Sequence, residues 1–129
     1  MIPYVGITFS PKLKGVNMGA SVFKVPSTGN GPINNSYTAP AGAYRIISIA
    51  CVFDAAPTTS ENFTITLDDT NGAAYDVLLY TLDPSAAATT DIVWQPDQEL
   101  MLATGDKVTV AFTNTDANVY GLTFTMKRV

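Results

Sequence analysis

A chain of 129 residues is the size of one domain and has no room for two full ones. Its 47% hydrophobic content suffices for a core and excludes global disorder, while charged residues reach only 14%, against roughly a quarter in ordinary soluble domains. A net charge of -4 argues against a nucleic-acid-binding domain, and the absence of histidine removes Ser-His-Asp and Cys-His nucleophile systems and most zinc and iron sites.

The chain opens with Met1-Ile2-Pro3-Tyr4, which has neither the positive region nor the long apolar run of a signal peptide. No apolar stretch approaches the ~20 residues needed to cross a bilayer, so the expectation is a soluble protein made in a reducing compartment, with no membrane partner. Short extended pieces follow, Tyr4 to Phe9 and Ala20 to Val25, separated by Pro11, Gly15 and Gly19. Residues 27–42 are dense in turn and linker residues. We read residues 1–40 as an extended N-terminal arm that becomes ordered by adding to a sheet or to another subunit. Residues 20–25 can equally be the first strand of the sandwich. Up to Arg45 the chain carries Lys12, Lys14, Lys24 and Arg45 and no acid, whereas all 11 acids lie between Asp54 and Asp116. The arm therefore suits an acidic surface, on this body or a neighbour's. Tyr4, Val5, Ile7 and Phe9 are the candidate anchors, with Lys12 and Lys14 supplying charge complementarity.

Residues 41–129 read as an all-β domain. No apolar set holds a 3.6-residue period over three turns, and Thr, Val, Ile and aromatic residues dominate. The spacing predicts strands over 44–53, 62–68, 74–82, 90–95, 99–103, 107–113 and 119–127. With one strand from the arm the count is eight, which favours an antiparallel β-sandwich of jelly-roll type over an immunoglobulin-like one. Val108, Val110 and Phe112 alternate with polar or small residues, as do Tyr120, Leu122, Phe124 and Met126. A hairpin closed by Asn114 to Asn118 would set 112 opposite 120 and 110 opposite 122. In the 62–82 hairpin, Asn71-Gly72 suits a two-residue turn, although a three-residue loop is also compatible. Strand 74–82 is apolar on both faces, so its second face needs a cover from the arm or an adjacent subunit. Cys51 sits in the apolar run Ile46 to Phe53 and reads as a buried core residue.

Three local patterns bear on chemistry. Asp68-Asp69-Thr70-Asn71-Gly72 is rich in oxygen, but it fails the EF-hand spacing and reads as a tight turn, so no metal or other cofactor is expected. Asp97 and Glu99 are two apart and would share a face of a strand, the arrangement a glycosidase needs, with nothing else to mark a cleft. Trp94, the single tryptophan, shares a strand face with Ile92 and is either a sugar-stacking platform or a core or interface anchor.

The run Glu99-Leu100-Met101-Leu102-Ala103-Thr104-Gly105-Asp106-Lys107-Val108-Thr109-Val110, then Tyr120-Gly121-Leu122-Thr123, is similar to the closing strands of small viral jelly-roll domains. There a Gly-Asp turn joins two late strands. With the low charge and the basic arm, the chain resembles the capsid decoration (cement) proteins of tailed bacteriophages, a likeness carried by its last third. The resemblance implies a structural virion protein on the capsid exterior, assembled in the host cytoplasm, that clamps neighbouring subunits of the major capsid protein. It also implies a homo-oligomer, often a trimer, and no enzymatic activity. The same turn occurs in fibre and sugar-binding modules, so the alternative is a receptor- or glycan-binding module of a phage fibre, spike or connector that uses Trp94.

Overall fold

The structure is a computed structural model, and it describes residues 21–129. Nine strands lie among the described residues: β1 Ser21–Gly29, β2 Ile33–Thr38, β3 Tyr44–Phe53, β4 Phe63–Asp68, β5 Val77–Leu82, β6 Asp91–Trp94, β7 Leu100–Leu102, β8 Lys107–Phe112 and β9 Tyr120–Arg128. They form two antiparallel sheets. The first runs β1-β9-β3-β6, with β7 also on β3, and the second runs β2-β8-β4-β5.

The pairing is nested. β1 pairs with β9, β2 with β8, β3 with β6 and β7, and β4 with β5, as in one long hairpin rolled over itself. That is the jelly roll expected from the strand count. β6 and β7 lie end to end along one edge of β3: Trp94 faces Ile49 and Leu100 faces Ile46. Residues 95–99 loop out between them. A single turn of helix, α1 at Pro84–Ala87, starts on Asp83, whose carboxylate accepts the Ser85 and Ala86 N–H groups.

Alternation places the core. Tyr120, Leu122, Phe124 and Met126 of β9 and Val108, Val110 and Phe112 of β8 are all buried. They do not form the expected hairpin with each other. Tyr120 pairs with Gly29 and Phe53 in one sheet, while Phe112 pairs with Ile33 in the other. The two apolar stripes meet face to face across the sandwich, where Phe53 and Phe112 pack with ring centroids 5.4 Å apart. Burying a side chain such as Phe63 contributes about 3 kcal/mol. Asn114 makes the turn between sheets possible: it takes a left-handed φ of 54°, and its amide donates to the carbonyls of Gly31 and Asn118.

The 62–82 hairpin also departs from expectation. Phe63 faces Leu82 and Ile65 faces Tyr80, but Thr66 faces Leu78, so Leu79 is a bulge. Asn71-Gly72 does not close a two-residue turn. The connection runs from Asp69 to Asp76 and contains a 3-10 turn at Ala73–Tyr75, because Asp69 and Asp76 draw the loop's N–H groups to their carboxylates.

The boundary expected at residue 40 is absent. Residues 21–38 supply one strand to each sheet, and Phe23, Tyr37 and Tyr44 interlock with centroids 6.1 to 6.2 Å apart. The Ser, Gly and Asn content of 27–36, which suggested a linker, belongs instead to the tight β1–β2 turn and to an exposed polar edge strand. Tyr4, Val5, Ile7, Phe9, Lys12 and Lys14 lie outside the described residues.

Candidate interaction surfaces

Rows of mostly uncharged residues cross part of each sheet face. Across the outside of the first sheet, Pro26, Thr123, Ala50 and Val93 form one row and Thr28, Gly121, Val52 and Asp91 the next. Val52 and Val93 are 51% and 65% exposed. Across the second sheet the rows are Asn34, Ala111, Thr64, Thr81 and Ser36, Thr109, Thr66, Leu78. The first sheet's face continues with Lys24, Thr125 and Ser48 and then Val22, Lys127, Arg45 and Met101, so it is mostly uncharged at one end and basic at the other. The second sheet's face is uncharged up to the Asp68–Lys107 pair.

The acids gather in the loops, where most of them hold backbone. Asp116 accepts the N–H groups of Thr58 (2.7 Å) and Thr59 (3.0 Å) and both hydroxyls. The Thr59 N–H and hydroxyl, then Thr58, draw its carboxyl down to about 2. Asp83 is lowered chiefly by the Ser60 hydroxyl, and Asp106 chiefly by the Thr70 N–H. Asp54 accepts from the Val119 N–H and Glu61 from the Thr115 N–H. In Asp68–Gly72, Asp68 pairs with Lys107 at 3.5 Å and Asp69 holds Asn71, so these carboxylates are engaged in the loop. Among the described residues no three Asp, Glu or Cys side chains converge as metal ligands.

Asp97 and Glu99 do not share a strand face, since both lie in the 95–99 loop-out. Glu99 pairs with Arg45 at 2.7 Å across the base of that loop. Among the described residues Asp97 is the acid that makes no hydrogen bond or ion pair. Trp94 shares the inner face with Ile92, and is half-buried against the core at the open side of the sandwich. It lines a cleft of about 340 Å³ with Leu79, Gln95, Pro96, Asp97, Gln98, Glu99 and Leu100. Trp94, Asp97 and Glu99 thus come together in the wall of one cleft.

Sequence reasoning missed the roles of Asp106, Asn114 and Asp116. Asp106 had a signal in its Gly-Asp turn, and its carboxylate holds Thr70 in the β4–β5 loop. Asp116 had none, because its partners are 57 and 58 residues away in the chain.

No known protein family matches the sequence, and no curated protein does. Among solved structures, a chain in the acid-stable capsid of Helicobacter pylori bacteriophage KHP30 is similar, with TM-score 0.54 and 18% identity over 88% of this chain and 90% of that one. The Drosophila NLP core, a pentamer that binds histones, has TM-score 0.44 and 16% identity over 81% and 96%. PliG of Aeromonas hydrophila, a periplasmic inhibitor of g-type lysozyme, has TM-score 0.34 and 12% identity over 84% and 86%. At the level of fold, this chain is similar to a chain found in a phage capsid.

Proposed function

We propose that this protein is a structural component of a phage virion, a decoration or cement protein that binds the outer shell and clamps neighbouring subunits of the major capsid protein. The observation that carries the reading is the likeness in fold to a chain of a phage capsid over nearly the full length of both. The uncharged rows on the outer faces of both sheets support it, because a clamp needs contact area spread over more than one neighbour. It works by binding, as a homo-oligomer on the virion exterior, without catalysis and without nucleic-acid or membrane partners.

The test is copy number in purified particles by quantitative mass spectrometry. Hundreds of copies in fixed ratio to the major shell protein support a decoration role. Complete absence from particles discards the structural reading.

The cleft beside Trp94 favours a second reading, a glycan-binding module of a fibre, spike or connector. Its half-buried ring and the unpaired Asp97, with Gln95 and Gln98, are the groups a sugar ring uses for stacking and hydrogen bonding. This reading requires a few to a few dozen copies per particle and sugar-dependent quenching of Trp94 fluorescence. A Trp94 emission unmoved by every sugar counts against it.

A further inference from the structure

We propose that the edge of β5 left unpaired among the described residues receives residues 4–9 of a second copy, which add as an antiparallel strand and seat an apolar side chain in the cleft beside Trp94. This deepens the homo-oligomer part of the proposed function, but it is testable on isolated protein without any shell.

β5 differs from the other edges of the sandwich. An open edge offers unpaired N–H and C=O groups, and proteins blunt it with lysine, proline or shortness. β1 carries Lys24 and Pro26, β2 presents Asn34 and Ser36, and β6 and β7 are four and three residues long. Within Val77–Leu82 there is neither lysine nor proline, and β5 pairs only with β4 among the described residues. Val77 is 47% and Leu78 57% exposed, so the edge is apolar as well as open. The bulge residue Leu79 lines the cleft with Trp94 and Leu100, which gives the edge a pocket. An edge that supplies main-chain hydrogen bonds next to a pocket for one side chain is how sheets recognise extended peptides.

The occupant is argued from composition, charge and direction. Val5, Ile7 and Phe9 alternate with Tyr4, Gly6 and Thr8, which is a strand pattern with one apolar face. Lys12 and Lys14 follow. Next to Val77 stand Asp76 and Asp69, joined by the Asp69 N–H bond to the Asp76 carboxylate. An antiparallel guest ends at the Val77 end of β5, which carries its lysines toward those acids. The parallel orientation takes them to the opposite end, where the one adjacent carboxylate, Asp83, is held by the Ser60 hydroxyl and the Ser85 and Ala86 N–H groups.

The second copy follows from the layout. Phe23 of β1 packs on Tyr37 of β2, whereas Leu79 of β5 shares its cleft with Trp94 of β6, so β1 and β5 are edges on opposite sides of the sandwich. Ser21, where β1 begins, therefore lies on the side of the sandwich opposite β5. The contact is heterologous, one copy's segment on the next copy's edge, and it closes into a ring when the rotation permits.

A mixing experiment with full-length chains tests this. One variant blocks the edge (Leu78→Lys) and the other spoils the segment (Ile7→Lys with Phe9→Lys). Each is checked for native circular dichroism and melting, with Val77→Lys replacing Leu78→Lys if the latter misfolds. By sedimentation velocity the wild type self-associates, and each variant alone does so at least about tenfold more weakly. Mixed, they form a one-to-one dimer, because one retains the segment and the other the edge, and added salt weakens it. A monomeric wild type, or a mixture that gives no heterodimer, overturns the proposal. So does self-association that neither variant changes.

Discussion

The buried carboxylate of Asp106 takes both the backbone N–H and the hydroxyl of Thr70, each at 3.1 Å, and the Ala103 N–H at 2.9 Å. One side chain, 5% exposed, thereby fastens the β4–β5 loop to the β7–β8 turn. Asp106→Ala leaves three donors without their acceptor, and the expected loss is about 2 kcal/mol by thermal or urea melting. Gly105 beside it has φ +89°, and a Cβ there meets the Thr70 methyl at 2.8 Å, so Gly105→Ala is expected to cost about 1 kcal/mol or more. Wild-type stability in both variants would remove this junction from the account of the fold.

Asp116 sets a pH dependence. Its carboxyl falls from an ordinary 3.8 to about 2 on folding, so its contribution is present in full above about pH 4 and fades as the pH drops toward 2. The melting temperature of Asp116→Asn is expected to lie below that of the wild type at pH 7, with the gap closing between pH 4 and 2. A gap that stays constant across that window would mean the loss is steric.

The Cys51 thiol is fully buried, and desolvation pushes it up to about 12. It is expected to resist a disulfide-exchange reagent in the native protein and to react fully in denaturant, so its labelling rate reports opening of the core. Fast labelling of native protein would show that the sandwich opens between β3 and its neighbours.

Truncation tests the boundary expected at residue 40. Removing residues 1–40 deletes β1 and β2, and with them Ile33 from the core and Phe23 and Tyr37 from the ring cluster. That fragment is expected to lose its cooperative melt, whereas residues 21–129 keep it. A cooperative transition in the shorter fragment would show that β1 and β2 are accessory.

The sequence by itself determined the all-β class, the seven strands after residue 41 to within a few residues, and which side chains of β8 and β9 turn inward. Period-two alternation encodes each of these locally. It also marked Cys51 as core and strand 74–82 as lacking a cover on one face. Only the tertiary structure decided that β8 and β9 belong to opposite sheets, since two apolar stripes satisfy the same pattern whether they lie side by side or face to face. The β5 bulge and the loop after it were likewise hidden, because the Asp69 and Asp76 carboxylates outcompete the local turn preference of Asn71-Gly72. The cleft beside Trp94 was hidden for a related reason. Residues 95–99 are pushed out where β6 and β7 share one edge of β3, and that crowding exists only once the sheet has formed.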